Sequence, residues 1–509
     1  MGKFIKALLA TAAVLQAGTA HAAWNEAISK HFHVYANESP DELRSFATKL
    51  EQFDAAVREA RGTPDVAEGN STQVSVYVVR DVAAVQDLYG ASGVAGFYIP
   101  RASGSVAFVP QRGYKGSFDL SGDSIFFHEY THHLMLQDAD RPLPTWLVEG
   151  FAEFFASPIF NQDGSVTIGA PPKYRAEALY DQAMGGLPLA KMVTGEYLYL
   201  TDLEFESLYG RGWLLTHLLS FDTRRRGQLT RYLDEIAKGT SPMQAAQSAF
   251  GDLKALDREL YDYFRGDKFT VSTIPASKLH IPPIEIKALS PALADLMDAQ
   301  IKFARGGERM SAGSLASRAR SAIQRNPPDA RASAILAQME VAAKDYRAAS
   351  DAADVALKLD PKSETAMLAK GTALMEMAKA DPKAANWANI RSYFMRANRI
   401  DTEDAQPLIL FYRSYEAQGV PATANALDGL RYALALAPQD SKLRLEVIED
   451  LLKVGRMDEA REIVVPLAYS PHAGKRHAAV RKILDAINAK NGTGAITAVG
   501  EARKFYADD

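Results

Sequence analysis

The chain has 509 residues, 58 Lys+Arg against 62 Asp+Glu, ten His and no Cys. At roughly 150 residues per domain this is room for two to four domains, and a formal charge of -4 excludes a surface built throughout to hold nucleic acid or anionic lipid. Without cysteine there is no disulfide scaffold, no thiolate metal or iron–sulfur site and no thiol nucleophile, so a transition-metal site must draw on histidine and carboxylate.

Lys3 and Lys6, an apolar run over 7–18 and the small-x-small triplet Ala20-His21-Ala22 form the pattern of a secretory signal. The expectation is a signal peptide over 1–22, a mature chain from Ala23 and a periplasmic or secreted location. No later stretch reaches the ~18 apolar residues of a membrane span.

Residues 23–270 read as mixed α and β. Residues 31–36 alternate like a strand. Residues 40–61 place Leu43, Phe46, Leu50, Phe53 and Val57 on one helix face behind a Ser39 or Asp41 cap. Residues 74–79 read as a buried strand and 81–88 as a short helix. Two short strands follow at 96–99 and 105–109, around a Pro-Arg-Ala-Ser-Gly turn. Helical patterns cover 121–137, 145–156, 208–221, 229–237, 242–250 and 253–264.

The first of these contains His128-Glu129-Tyr130-Thr131-His132. On a helix, positions i and i+4 share a face, so both imidazoles reach one ion, and Glu129 can address a water on that ion. A hydrolytic zinc needs a third protein ligand and an open position. Where metzincins carry Gly and a third His, this chain has Met135 and Asp138. The next helical segment supplies Trp146-Leu147-Val148-Glu149-Gly150-Phe151-Ala152-Glu153.

HExxH followed by W-L-x-E-G-x-A resembles the gluzincin metallopeptidases, the peptidase MA-like group. The resemblance implies an α+β zincin-like domain with Zn2+ held by His128, His132 and Glu149. It implies Glu129 as general base and a tyrosine that donates to the oxyanion, for which Tyr209 is the candidate and Tyr197 and Tyr199 are competitors. It also implies that strand 105–109 is a sheet edge able to pair with an extended peptide. Glu153, one turn beyond Glu149, is read as an acceptor for a ligand-histidine N–H rather than as the ligand. No Gly-x-Met-Glu-Asn segment is present, so the resemblance does not extend to gripping a substrate amino terminus. Among the other histidines, His133 points about 100° away from the ligand face and reads as structural. His217 reads as core, and His31 and His33 as ordinary surface or edge residues.

Residues 271–289 carry Pro275, Pro282 and Pro283 without periodicity and read as a linker. Beyond them the chain is Ala-rich and helical, with turns at Pro327, Pro361, Thr402, Pro438 and Pro471, spaced 34, 41, 36 and 33 residues apart. Small residues at recurring offsets, as in Leu336-Ala337, Ala349 and Ala356 before Pro361, resemble tetratricopeptide repeats over 290–490, followed by a tail at 491–509. The resemblance implies an all-α solenoid whose concave face takes a protein or peptide partner. The long unit predicts an extended inter-helix loop at 379–388. The combined expectation is an exported zinc metallopeptidase acting on a peptide or protein substrate. The alternative is a catalytically silent zincin-like scaffold working through its repeats as a protein-binding module.

Overall fold

A computed structural model describes residues 24–92, 94–111, 122–137, 143–175, 186–194, 200–266, 268–306, 311–468 and 474–506. The expected signal peptide over 1–22, Tyr197, Tyr199 and Pro471 lie outside the described residues.

The N-terminal half is built on a six-stranded mixed sheet of order β4-β5-β3-β2-β1-β9. Its strands are β1 (Asn25–Ile28), β2 (Phe32–Ala36), β3 (Val74–Val79), β4 (Phe97–Ile99), β5 (Ser105–Pro110) and β9 (Glu285–Ala288). The three central strands β2, β3 and β5 run parallel. A parallel strand covered on both faces reads as a continuous apolar run, and β3, V-S-V-Y-V-V, shows why. Val74, Val76 and Val78 point into a core with Leu43, Leu50 and Phe53 of the helix Pro40–Arg61. Tyr77 and Val79 point the other way, toward Leu293, Leu296 and Met297 of the first repeat helix. The helix Pro40–Arg61 is set at both ends. Ser39 and Glu42 form a capping box, and Gly62, at φ 64°, closes onto the carbonyls of Arg58 and Glu59.

A second sheet of three short strands, β6 (Ile159–Phe160), β7 (Val166–Ile168) and β8 (Ser272–Ile274), lies beyond the motif helices. Residues 271–289 are therefore not a linker. β8 pairs antiparallel with β7, and β9 pairs antiparallel with β1 at the sheet edge. Pro275, Pro282 and Pro283 fall between the two strands, where a missing N–H costs no ladder bond.

The C-terminal half is a helical solenoid of antiparallel pairs. Among the described residues there are six, from Pro291–Arg305 with Ala312–Arg325 to Gly474–Asn488 with Gly492–Phe505. The repeat spacing reappears in the first helices of successive pairs, which begin at Ala330, Glu364, Ala405, Ser441 and Gly474. The expected long loop lies at 379–386, between Glu364–Ala378 and Trp387–Ile400. The expected tail is instead the second helix of the last pair: Ala495, Ala498, Val499 and Ala502 fall at helical spacing and are buried.

The two halves pack closely. Glu26 takes a bidentate bond from Arg331 at 2.7 and 2.8 Å. The Arg101 guanidinium donates to the terminal carbonyls of Ala304 and Arg305, at 2.5 and 2.9 Å. The turn around Asn70 and Ser71 reaches the start of helix Ala405–Gln418, where the Ala405 N–H donates to Ser71 Oγ at 2.8 Å.

Candidate metal centre

The motif helix, Gly122–Gln137, is anchored on one side by aromatic packing. Phe126 and Tyr130 stack on each other and sit against Phe32, while Phe127 stacks on Phe53. This fixes the rotation of the helix and leaves His128 and Glu129 half-buried on the opposite side. The helix Thr145–Phe155 then passes in front of it, almost wholly buried. Its own position is set by a backbone contact with the helix Asp202–Phe221. A methyl group on Gly150 would lie 2.4 Å from the Gly212 carbonyl oxygen, and one on Gly212 would lie 2.6 Å from that of Trp146. Glycine within a helix costs about 1 kcal/mol relative to alanine; here two glycines allow the close approach that carries Tyr209 toward the motif helix.

Three donor atoms converge. His128 Nε2 and His132 Nε2 are 3.1 Å apart, and Glu149 Oε2 lies 3.4 Å from the first and 3.6 Å from the second. Zinc held tetrahedrally at ~2.0–2.1 Å separates its ligand atoms by roughly 3.3–3.4 Å. The circle through the three atoms has a radius of about 2.0 Å, so one point just off their plane lies at zinc bonding distance from all of them. Two imidazoles and one carboxylate also suit this ion chemically and leave a fourth position. The donor set fits zinc.

The surroundings favour positive charge at this point. Burial alone pushes the His128 imidazolium down. The hydrogen bonds and charges of Glu149 and Glu153 outweigh that and hold its pKa up at about 10. Glu153 Oε1 lies 3.4 Å from His128 Nδ1, the ring nitrogen turned away from the other two donors, and its Oε2 accepts from the Tyr174 hydroxyl at 2.8 Å. The Tyr209 ring sits 6.0 Å from the His128 ring, centre to centre.

The sheet edge beside the site differs from the expectation. Strand 105–109 is not the edge, because β4 pairs antiparallel along its outer side. The edge is Phe97–Ile99, whose central Tyr98 hydroxyl hydrogen-bonds Ser105 Oγ at 2.8 Å and His133 Nδ1 at 2.5 Å. Burial, then the charges of Arg58 and His31, push the His133 pKa down to about 3, so its ring is neutral. Neither Tyr98 nor Tyr174 carries a local sequence signal. Their partners lie 35 and 21 positions away, and only the fold joins them.

A second histidine–carboxylate set occupies the far side of the motif helix and corrects the reading of His31 and His33. His31 is buried, with Nδ1 at 2.7 Å from Glu51 and Nε2 at 2.8 Å from Asp65. Asp54 accepts from Arg58 Nε at 2.9 Å and from the Tyr130 hydroxyl at 2.8 Å. His33 bonds Glu26 at 2.8 Å, joining the bridge to Arg331. The sequence reads both as ordinary; His31 is instead buried because helix Pro40–Arg61 carries Glu51 and Asp54 to meet it at the start of β2, while His33 stays half-buried. His217 is core, as read, with its nitrogens on Tyr263 Oη and the Thr270 carbonyl at 2.7 and 2.8 Å.

No family model and no curated protein sequence matches the chain. Solved structures do match. One is a thermophilic TPR protein of Thermus thermophilus, at 18% identity over 39% of this chain and 99% of that one, with a TM-score of 0.32. Another is Pseudomonas aeruginosa pilF, at 16% identity over 43% and 93%, with a TM-score of 0.32. A third is yeast Tom70, at 12% identity over 88% and 83%, with a TM-score of 0.26.

Proposed function

We propose that this chain is an exported zinc-dependent peptidase with a protein-binding solenoid attached. The observation that carries the reading is the triangle of His128, His132 and Glu149 donor atoms, with sides of 3.1, 3.4 and 3.6 Å. When bound, zinc supplies a Lewis acid that acidifies water and polarises a carbonyl. Glu129, half-buried beside the ligands, takes up the proton of the attacking water and returns it to the leaving amine. Tyr209 donates a hydrogen bond to the developing oxyanion. Glu153, held by Tyr174, accepts a hydrogen bond from His128 Nδ1–H and so fixes the tautomer that presents Nε2. An extended peptide adds to the outer side of the edge strand Phe97–Ile99. The same residues would serve a non-peptide amide equally well.

The second reading is a scaffold that has kept the ligand geometry and works by binding a protein through its repeats. It is favoured by the solenoid, in which the first helices of the first four pairs pack on one another in an inner layer. Metal analysis and peptide-library hydrolysis separate the two. The peptidase reading expects one zinc per chain in wild type and in Glu129→Gln, with hydrolysis ~10²–10⁴-fold slower in the variant. Zinc-loaded wild type that cleaves no peptide would leave the scaffold reading.

A further inference from the structure

A cavity of about 350 Å³ opens where the turns around Asn70 and Ser103 cross the inner layer of the solenoid. Pockets of this size take small ligands or single side chains. Its walls are mixed, with two carboxylates and a few apolar side chains set among neutral polar ones such as Gln338, Thr372 and Gln406. Glu364 and Asp404 stand at the starts of helices Glu364–Ala378 and Ala405–Gln418. Leu368 and Leu410 line it further along the same two helices, about 6 and 9 Å on at 1.5 Å per residue. Val341, near the end of Ala330–Ala342, adds to the apolar wall. Among the described residues, no basic side chain lines the cavity.

The carboxylates are only partly explained by the fold. Asp404 caps its helix, accepting from the Gln406 N–H at 2.7 Å, and also accepts from Asn70 Nδ2 at 2.9 Å. Asp401 accepts from the Asn70 N–H at 2.9 Å. Glu364 shares a hydrogen bond with Asp404, yet its Oε1 is buried with no hydrogen-bond partner among the described residues. A buried oxygen of this kind destabilises the fold unless something meets it. Burial first, and then the charges of Asp404 and Asp401, push the Glu364 carboxyl up to about 9. At neutral pH Glu364 is therefore protonated, because among the described residues no cation in the lining offsets Asp404 and Asp401.

We propose that this cavity binds a primary ammonium group on an alkyl stem, the chemistry of a lysine side chain or of a free aliphatic diamine. The ammonium has three donors, enough for Glu364 Oε1 and Asp404 together. The stem lies along Leu368, Leu410 and Val341, as amphipathic side chains do on apolar surface. The site is independent of the metal centre, so failure of either leaves the other standing.

Calorimetric titration of the full chain tests it with three probes: acetyl-Ala-Ala-Lys-Ala-Ala-amide, the same peptide with norleucine for lysine, and 1,4-diaminobutane. The proposal expects saturable binding of the lysine peptide or the diamine and at least tenfold weaker binding of the norleucine peptide. Binding of the peptide alone assigns the site to a protein partner, and binding of the diamine alone assigns it to a free amine. Glu364→Gln should weaken the cation at least tenfold. Leu368→Lys, which supplies its own ammonium one turn from Glu364, should abolish it. Equal binding of the lysine and norleucine peptides, or no saturable binding of either cation, would overturn the proposal. So would binding undiminished in both variants. Should Glu364→Gln fail to fold, the lysine–norleucine contrast and Leu368→Lys decide.

Discussion

The motif helix touches two histidine–carboxylate sets, one on each side, and they are built to opposite ends. On one side, His128, His132 and Glu149 each send one donor atom toward a common point, with all three separations between 3.1 and 3.6 Å. On the other, His31, Asp54 and Asp65 also lie close enough to surround an ion. There, however, His31 spends its two nitrogens in opposite directions, on Glu51 at 2.7 Å and on Asp65 at 2.8 Å. Arg58 and Lys30 supply further positive charge to Asp54 and Asp65. The first set aims its donor atoms at one point; the second turns them on separate partners and adds an arginine and a lysine. Composition and proximity do not separate a metal cradle from an ion-pair network, but the direction of the donor atoms and the presence of internal cations do.

The largest effect that would break this comparison is on metal content. His132→Ala should lower zinc affinity by more than ~10²-fold, since even partners of the ligands are worth 10–100-fold. His31→Ala should leave zinc content unchanged, and both are read by metal analysis after dialysis.

Stability should respond in the reverse order. His31→Ala takes the imidazole from Glu51, whose side chain is fully buried and keeps the residue-31 N–H, and removing one partner of a buried pair costs up to about 3–5 kcal/mol in urea unfolding.

A smaller effect sharpens the first set. Glu153→Gln should weaken zinc binding ~10–100-fold by loosening the His128 ring, measured by chelator competition, with folding cooperativity retained.

The smallest is a pH dependence. Burial pushes His31 down, but the Glu51 hydrogen bond and the charges of Asp54 and Glu51 raise it from 6.5 to about 8. The folded value lies above the unfolded one, so this contribution is complete below about pH 6.5 and is lost as pH rises through about 8. The stability difference between zinc-loaded wild type and His31→Gln should therefore shrink by about 2 kcal/mol between pH 6 and pH 9.

Much of this was legible in sequence because it depends on local spacing. The His128–His132 pair, the Trp146–Glu153 segment and the 33- to 41-residue repeat all write their geometry into short intervals. Residues joined only by tertiary packing were hidden. Tyr174 reaches Glu153, and Glu26 reaches Arg331 across 305 positions. Strands of three or four residues were the other loss. β1, β7, β8 and β9 are too short for period-two alternation to stand out, and the prolines between β8 and β9 disguised two sheet strands as a linker. The solenoid hid its last helix because Gly492, Gly494 and Gly500 weaken its helical signal, although Ala495, Val499 and Ala502 pack it in place.

The most direct test of the central claim is an anomalous difference map recorded at the zinc edge from crystals of the zinc-loaded chain. The account predicts one strong peak bonded to His128 Nε2, His132 Nε2 and Glu149 Oε2 at ~2.0–2.2 Å. A peak among His31, Asp54 and Asp65 instead, or no peak beside Glu149, would contradict it.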